Sequence, residues 1–143
     1  MNIETDVLAK TIYGEARGET LLGMESVASV VLNRLEISKR FKKYWWGNTI
    51  EEICLKSKQF SCWNKNDVNF AIINRVDENN PIFCICKRIS KRAAAGLLAD
   101  NTNRATHYHT KKARPSWTIG KIPCAEIGDH IFYNNIETLH EKK

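Results

Sequence analysis

Across residues 5–17 apolar side chains return every three or four positions, and a glutamate stands inside the stripe they form. On a helix at about 100° per residue, Leu8, Thr11, Ile12, Glu15 and Ala16 share one face, while Asp6, Lys10, Tyr13 and Arg17 share the other. A helix of this pattern must lie on a core, and it carries a carboxyl group in with it. An unpaired glutamate so placed loses hydration, which disfavours its charged form and makes it a candidate proton donor. Gly18 reads as the helix stop, so Glu15 falls in the last turn, where unsatisfied carbonyls add partial negative charge. Gly14 omits a side chain beside the carboxyl group and would let a bulky substrate approach the backbone. The competing reading is a buried structural glutamate paired with an arginine from elsewhere in the chain.

A second helical period covers residues 22–35, with Met24, Val27, Ala28, Val30, Val31 and Leu35 on one side and Glu25, Ser29 and Glu36 on the other. Arg34 also falls on the apolar side, so its guanidinium must snorkel, find a carboxylate or reach a cleft. Glu19 is the expected partner, as a structural pair framing the turn after the first helix. Residues 40–48 are basic and aromatic. They read as a sugar-stacking lip, a wall-contacting loop, or a loop whose Trp45 and Trp46 plug the domain edge. Thr49-Ile50-Glu51-Glu52 is a capping box that launches a short helix through Leu55.

Between residues 64 and 80 the chain is polar, with a short apolar segment at 70–73. Pro81 suits a first helical position, and Ile82, Ile85, Ile89, Arg92, Ala93 and Gly96 lie near one face of a scaffold helix reaching about Leu98. Beyond Asp100 the pattern changes. Residues 106–109 alternate like a strand, and 121–127 and 130–133 are short strand candidates joined by Gly128-Asp129. The expected fold class is α+β, mostly helical with a small C-terminal antiparallel sheet, in a single domain spanning residues 1–143.

Four separated stretches, in order, resemble the SleB-type cell wall hydrolases. They are residues 13–19, Tyr-Gly-Glu-Ala-Arg-Gly-Glu, with the helical run 23–34; Gln59-Phe60-Ser61-Cys62-Trp63; Ala105-Thr106-His107-Tyr108; and Gly128-Asp129-His130-Ile131-Phe132-Tyr133. The resemblance spans residues 8–133 and implies a lysozyme-like catalytic core that cleaves peptidoglycan without a metal or organic cofactor. It implies Glu15 as the catalytic residue. Gln59, Ser61, His107 and Tyr108 would grip hydroxyl and acetamido groups, and Phe60, Trp63, Trp117 and Tyr133 would complete the sugar contacts. Gly14, Glu19 and Arg34 would be structural neighbours of the site. Family members carry a Pro- and Gly-containing turn before the third motif, where this chain has Asn101 to Arg104.

Ordinary glycosidases use two carboxyl groups, and here only Glu15 stands out. A single carboxylate suits the lytic transglycosylase reaction that the resemblance implies. Two rivals remain. His107 and His109 at i and i+2, with His130, would suit a zinc site and thus an N-acetylmuramoyl-L-alanine amidase, although no HExxH is present. A non-catalytic basic module binding cell wall or nucleic acid is the other.

The 143 residues, 43% apolar and 27% charged, are ordinary for one globular domain able to bury a core without disulfides. The net charge of +6 draws polyanions, but the cations are spread over 40–43, 87–92 and 111–114, so they read first as generic solvated charge, next as attraction to an anionic wall, and last as a nucleic-acid surface. The five cysteines exclude a fully paired monomer; reduced, mostly buried thiols are expected, with Cys54 and Cys62 the pair to check for oxidation. Residues 1–6 lack the features of a signal peptide and no apolar run approaches the ~20 residues of a membrane span. The expectation is a monomer without membrane insertion, made in the cytoplasm and acting on the wall after lysis, injection or delivery by a partner.

Overall fold

The computed structural model describes residues 2–42 and 45–136. Five helices come first: α1 (Ile3–Ala16), α2 (Leu21–Phe41), α3 (Ile50–Leu55), α4 (Val68–Arg75) and α5 (Pro81–Ala94). Three short strands follow, β1 (His107–Thr110), β2 (Ala125–Ile127) and β3 (His130–Tyr133), in the antiparallel order β1-β3-β2. Single 3-10 turns lie at Ser61–Trp63 and Ser116–Thr118.

The helix α1 is the axis of the helical part, packed by α2, α3, α4 and α5. Leu8 and Ile12 are fully buried as the periodicity predicts, but one residue of the supposed outer face is covered too. Tyr13 is buried and meets Phe83 of α5 edge-on, centroids 5.9 Å apart. The N-cap is Asn2, whose Oδ1 accepts the Thr5 N–H at 2.9 Å. Helix α2 runs past Leu35 to Phe41, and its last turns carry Lys39 and Arg40, cations that suit a helix C-terminus, with Glu36 paired to Arg40 at 3.0 Å. Residues 43 and 44 of the basic aromatic stretch lie outside the described residues. Trp46 is buried, so that segment plugs the domain.

Thr49 caps α3 as expected, accepting from the Glu52 N–H, while Glu52 reaches back to the Asn48 N–H, one residue earlier than the capping box anticipates. In α5 Pro81 stands at the start, but the buried face is Phe83, Cys86, Ile89, Ser90 and Ala93. Ile82 is exposed. The rotation follows from two contacts, Phe83 on Tyr13 and Ser90 Oγ donating to Thr5 O at 2.6 Å, the latter making a polar residue acceptable inside. The helix stops at Ala94, before Leu98, because Gly96 takes a left-handed conformation (φ 75°).

The register pairs Tyr108 with Phe132, Ala125 with Phe132 and Ile127 with His130. These residues share the inner face of the sheet, where Phe132 joins Val30 of α2 and Ala105 in a second small core. His107, His109, Ile131 and Tyr133 share the outer face. All five cysteines are free, with Cys54, Cys62 and Cys86 buried. Burial pushes the Cys54 thiol up to about 12.

Candidate active site

Glu15 occupies the last turn of α1, half-buried, and it is neither unpaired nor bridged to an arginine. Its Oε1 accepts a 2.5 Å hydrogen bond from Tyr108 Oη on β1, and its Oε2 accepts a long 3.4 Å bond from the Cys62 N–H in the turn after α3. The two oxygens are therefore unequally held. Tyr108 stays a phenol at any working pH, since burial first, and the Glu15 charge next, hold its pKa well above the usual tyrosine range. The carbonyls at the end of α1 are not left open either: Arg17 folds back to Tyr13 O and Gly14 O at 3.4 and 3.5 Å and fixes its other amino group on Asn69.

Gly14 serves packing rather than substrate approach. A Cβ there would lie 2.6 Å from Cys62 Cβ and 2.8 Å from its Sγ. The missing side chain is what lets the 61–63 turn close on α1 and bring the Cys62 amide to the carboxylate.

Arg34 is buried, and among the described residues it has no ion pair. Its Nε donates to Thr106 O at 2.8 Å and Nη1 to Gln59 Oε1 at 3.3 Å, and its guanidinium lies 5.2 Å from the centroids of both Trp46 and Phe60. Burial lowers its pKa to about 10, so it remains a cation at neutral pH. Two desolvated ring faces, up to about 2 kcal/mol each, and two oxygens replace part of its lost hydration. The expected partner Glu19 is engaged elsewhere: Oε1 accepts the Asp129 N–H at 2.9 Å. It braces the β2–β3 turn, where Gly128 has φ +57° and a Cβ would lie 2.1 Å from that same oxygen.

The remaining sequence candidates divide. Ser61 is exposed beside Glu15's loop donor, and Trp63 is half-buried with its indole N–H donating to Thr11 Oγ1 at 2.8 Å, which fixes the ring. Gln59 is half-buried with its carbonyl oxygen taken by Arg34. Phe60 is a core residue under Arg34, 2% exposed, not a sugar platform. Tyr133 is also buried: its hydroxyl bonds His109 Nε2 at 3.0 Å and the two rings stack. His107 and Trp117 pack together on the outer sheet face, centroids 5.4 Å apart, and Trp46 also meets His107, centroids 6.1 Å apart. Burial, then the charge of Arg34, lowers the His107 pKa to about 3, so it is neutral. Thus Glu15, Tyr108 and the 61–63 turn meet, while His107, Trp117 and Tyr133 form an aromatic patch across the sheet.

The three histidines of the zinc reading do not converge, because His130 lies on the inner face, 4.8 Å from the Tyr108 ring, and His107 and His109 lie on the outer one. His109 moreover spends both ring nitrogens on Thr110 O and Tyr133 Oη. Sequence reasoning missed the Cys62 amide, which no side-chain pattern can announce, and the contact of the buried Trp46 with Arg34. An apolar-face arginine followed by tryptophans was the available signal for the latter.

The sequence profile of the Cell Wall Hydrolase family matches residues 18–133. The chain belongs to the Cell Wall Hydrolase family. The matched span begins three residues after Glu15. A spore cortex-lytic enzyme of Bacillus cereus is 25% identical over 132 residues, covering 90% of this chain and 43% of that protein. One from Halalkalibacterium halodurans is 27% identical over 134 residues, covering 92% and 34%. The chain thus spans less than half the length of these curated relatives. Among solved structures, the catalytic domain of the germination-specific lytic transglycosylase SleB from Bacillus anthracis superposes with a TM-score of 0.69 at 26% identity, covering 92% of this chain and 93% of that one. The catalytic domain of Bacillus cereus SleB gives the same score and identity, with 92% and 89% covered. The α+β architecture, helical with a three-stranded antiparallel sheet, is therefore that of the SleB catalytic domain.

Proposed function

We propose that this Cell Wall Hydrolase family member cleaves the glycan strand of peptidoglycan between N-acetylmuramic acid and N-acetylglucosamine as a lytic transglycosylase, with Glu15 as its one catalytic carboxyl group. The observation that carries the reading is the unequal anchoring of that group: Oε1 accepts a 2.5 Å bond from Tyr108, whereas the Cys62 amide reaches Oε2 only at 3.4 Å. Oε2, the more loosely held oxygen, is the one that would carry a transferable proton. Glu19, the nearest acid along the chain, is turned to the Asp129 amide, which favours a one-carboxylate reaction over the two-carboxylate schemes of ordinary glycosidases.

In the first step Oε2 gives its proton to the oxygen of the β-1,4 bond as that bond breaks and positive charge grows at the muramic acid anomeric carbon. The Tyr108 bond strengthens as its acceptor becomes charged, so it favours the transition state over the ground state. In the second step the Glu15 carboxylate takes the proton of the muramic acid C6 hydroxyl, whose oxygen attacks the anomeric carbon and closes a 1,6-anhydro ring. The nucleophile belongs to the substrate, so the scheme calls for no cofactor.

Ser61, the half-buried Trp63 and the His107–Trp117 pair are the proposed sugar contacts, with the buried Tyr133 packed against Trp117. The site of action would be the wall, reached by release or delivery. Glu15→Gln preserves shape and hydrogen bonding but removes the acid, so it should abolish solubilisation of purified sacculi while leaving the melting temperature within a few degrees. Sacculi dissolved by the variant at near the native rate would refute Glu15 as the acid.

A further inference from the structure

Both donors to Glu15 sit on segments held by one buried cation. Tyr108 lies two residues beyond Thr106, whose carbonyl accepts from Arg34 Nε, and Cys62 lies three beyond Gln59, whose side chain accepts from Arg34 Nη1. The preceding residue of α2 works on the same strand: Asn33 Nδ2 donates to Ala105 O at 2.8 Å. Consecutive side chains of α2 thus hold consecutive carbonyls at the entry to β1, and Arg34 reaches across to the 59–62 loop as well. The guanidinium fork is suited to this. It is planar, has donors at fixed angles, and is immobilised between Trp46 and Phe60.

A buried arginine without a carboxylate is costly to keep. Replacing it by an apolar residue would fill the space yet leave Thr106 O and Gln59 without their donor. We propose that Arg34 is a positioning residue for the reaction: it clamps the β1 strand and the 59–62 loop to α2 at one point, and so fixes Tyr108 Oη and the Cys62 amide against the two oxygens of Glu15. It does not touch substrate in this account. Its effect is on where the carboxyl group's two donors stand, and the inference rests on Glu15 being the acid.

The test reads the clamp directly and through turnover. Proton NMR of the full protein follows two signals: the hydrogen-bonded Tyr108 hydroxyl, assigned by its disappearance in Tyr108→Phe, and the Cys62 amide. Arg34→Lys keeps a buried cation but loses the fork. It should shift or broaden both signals and lower kcat on peptidoglycan about tenfold to a hundredfold, the scale of a misplaced reacting geometry, with KM within about threefold. Gln59→Ala cuts one arm only and should move the Cys62 amide while leaving the Tyr108 hydroxyl in place.

A folded Arg34→Lys with both signals unmoved, or with its loss carried by KM alone, overturns the clamp. If Arg34→Lys does not fold, Gln59→Ala decides, and an unmoved Cys62 amide overturns it. Because the two signals need no turnover, a native protein that shows the predicted shifts between variants and never cleaves peptidoglycan would refute the proposed function while upholding the clamp.

Discussion

Tyr108 on β1 and Glu15 on α1 are 93 residues apart in the chain and are joined by a 2.5 Å hydrogen bond from the phenol to the carboxyl group. That bond is where the sheet meets the helical part at the site, and it gives the small C-terminal sheet a chemical role as well as a packing one.

Removing the hydroxyl isolates this role. Tyr108→Phe keeps the ring contacts with His130 and Phe132 and deletes one bond to a charged acceptor, worth roughly 1.5–3 kcal/mol. If that strength is realised mainly as Glu15 ionises, kcat should drop about tenfold to a hundredfold with KM little changed. Steady-state kinetics on soluble glycan fragments would show it. An unchanged kcat would mean that the bond is structural only.

Gly14 gives a prediction that separates packing from substrate access. Gly14→Ala puts a Cβ within 2.6 Å of Cys62 Cβ and 3.0 Å of Ile73 Cγ2, so α1 and the 61–63 turn must part. Thermal unfolding should show a loss of about 1–3 kcal/mol, as overpacking in a filled interior costs, together with a fall in activity. Restoration of both by Cys62→Gly in the same chain, which removes the clashing Cβ as well as Sγ, would identify the contact. A Gly14→Ala variant of native stability that loses only substrate affinity would instead restore the idea of a bare backbone facing substrate.

Acid sensitivity has a definite sign. His107 titrates near 6.5 in the unfolded chain and near 3 when folded, because burial and Arg34 disfavour its charge. Between those values the unfolded state binds more protons, so stability falls as pH drops from about 6.5 toward 3. His130, lowered by burial in spite of Glu19, Glu15 and Asp129, contributes in the same direction. The melting temperature should therefore decline over this window, and His107→Gln should flatten the decline. An identical slope in the variant would show that the imidazole is protonated in the folded state.

What the sequence made legible was whatever depends on period and local chemistry. The stripe containing Glu15, the Thr49 cap, Pro81 at a helix start and the Gly128-Asp129 turn all follow from neighbours within a few residues. What it hid depends on tertiary partners. Tyr13 and Phe83 bury each other, so each falsified the face assigned to its own helix. Arg34 and Glu19 are close enough in sequence to suggest a pair, yet one is captured by Thr106 and Gln59 and the other by Asp129. Phe60 and Tyr133 lie in the motifs of the family resemblance but are buried, because motif residues include those that build a site as well as those that touch its substrate.

The central claim is that one carboxyl group serves first as acid and then as base, with the substrate supplying the nucleophile. Mass spectrometry of the soluble products released from purified sacculi, by the native protein and by Glu15→Gln side by side, tests it most directly. The account predicts muropeptides ending in 1,6-anhydromuramic acid from the native protein and none from the variant. Reducing-end muropeptides from the native protein would contradict it by requiring water and a second carboxylate, and free stem peptides would return the chemistry to the histidines.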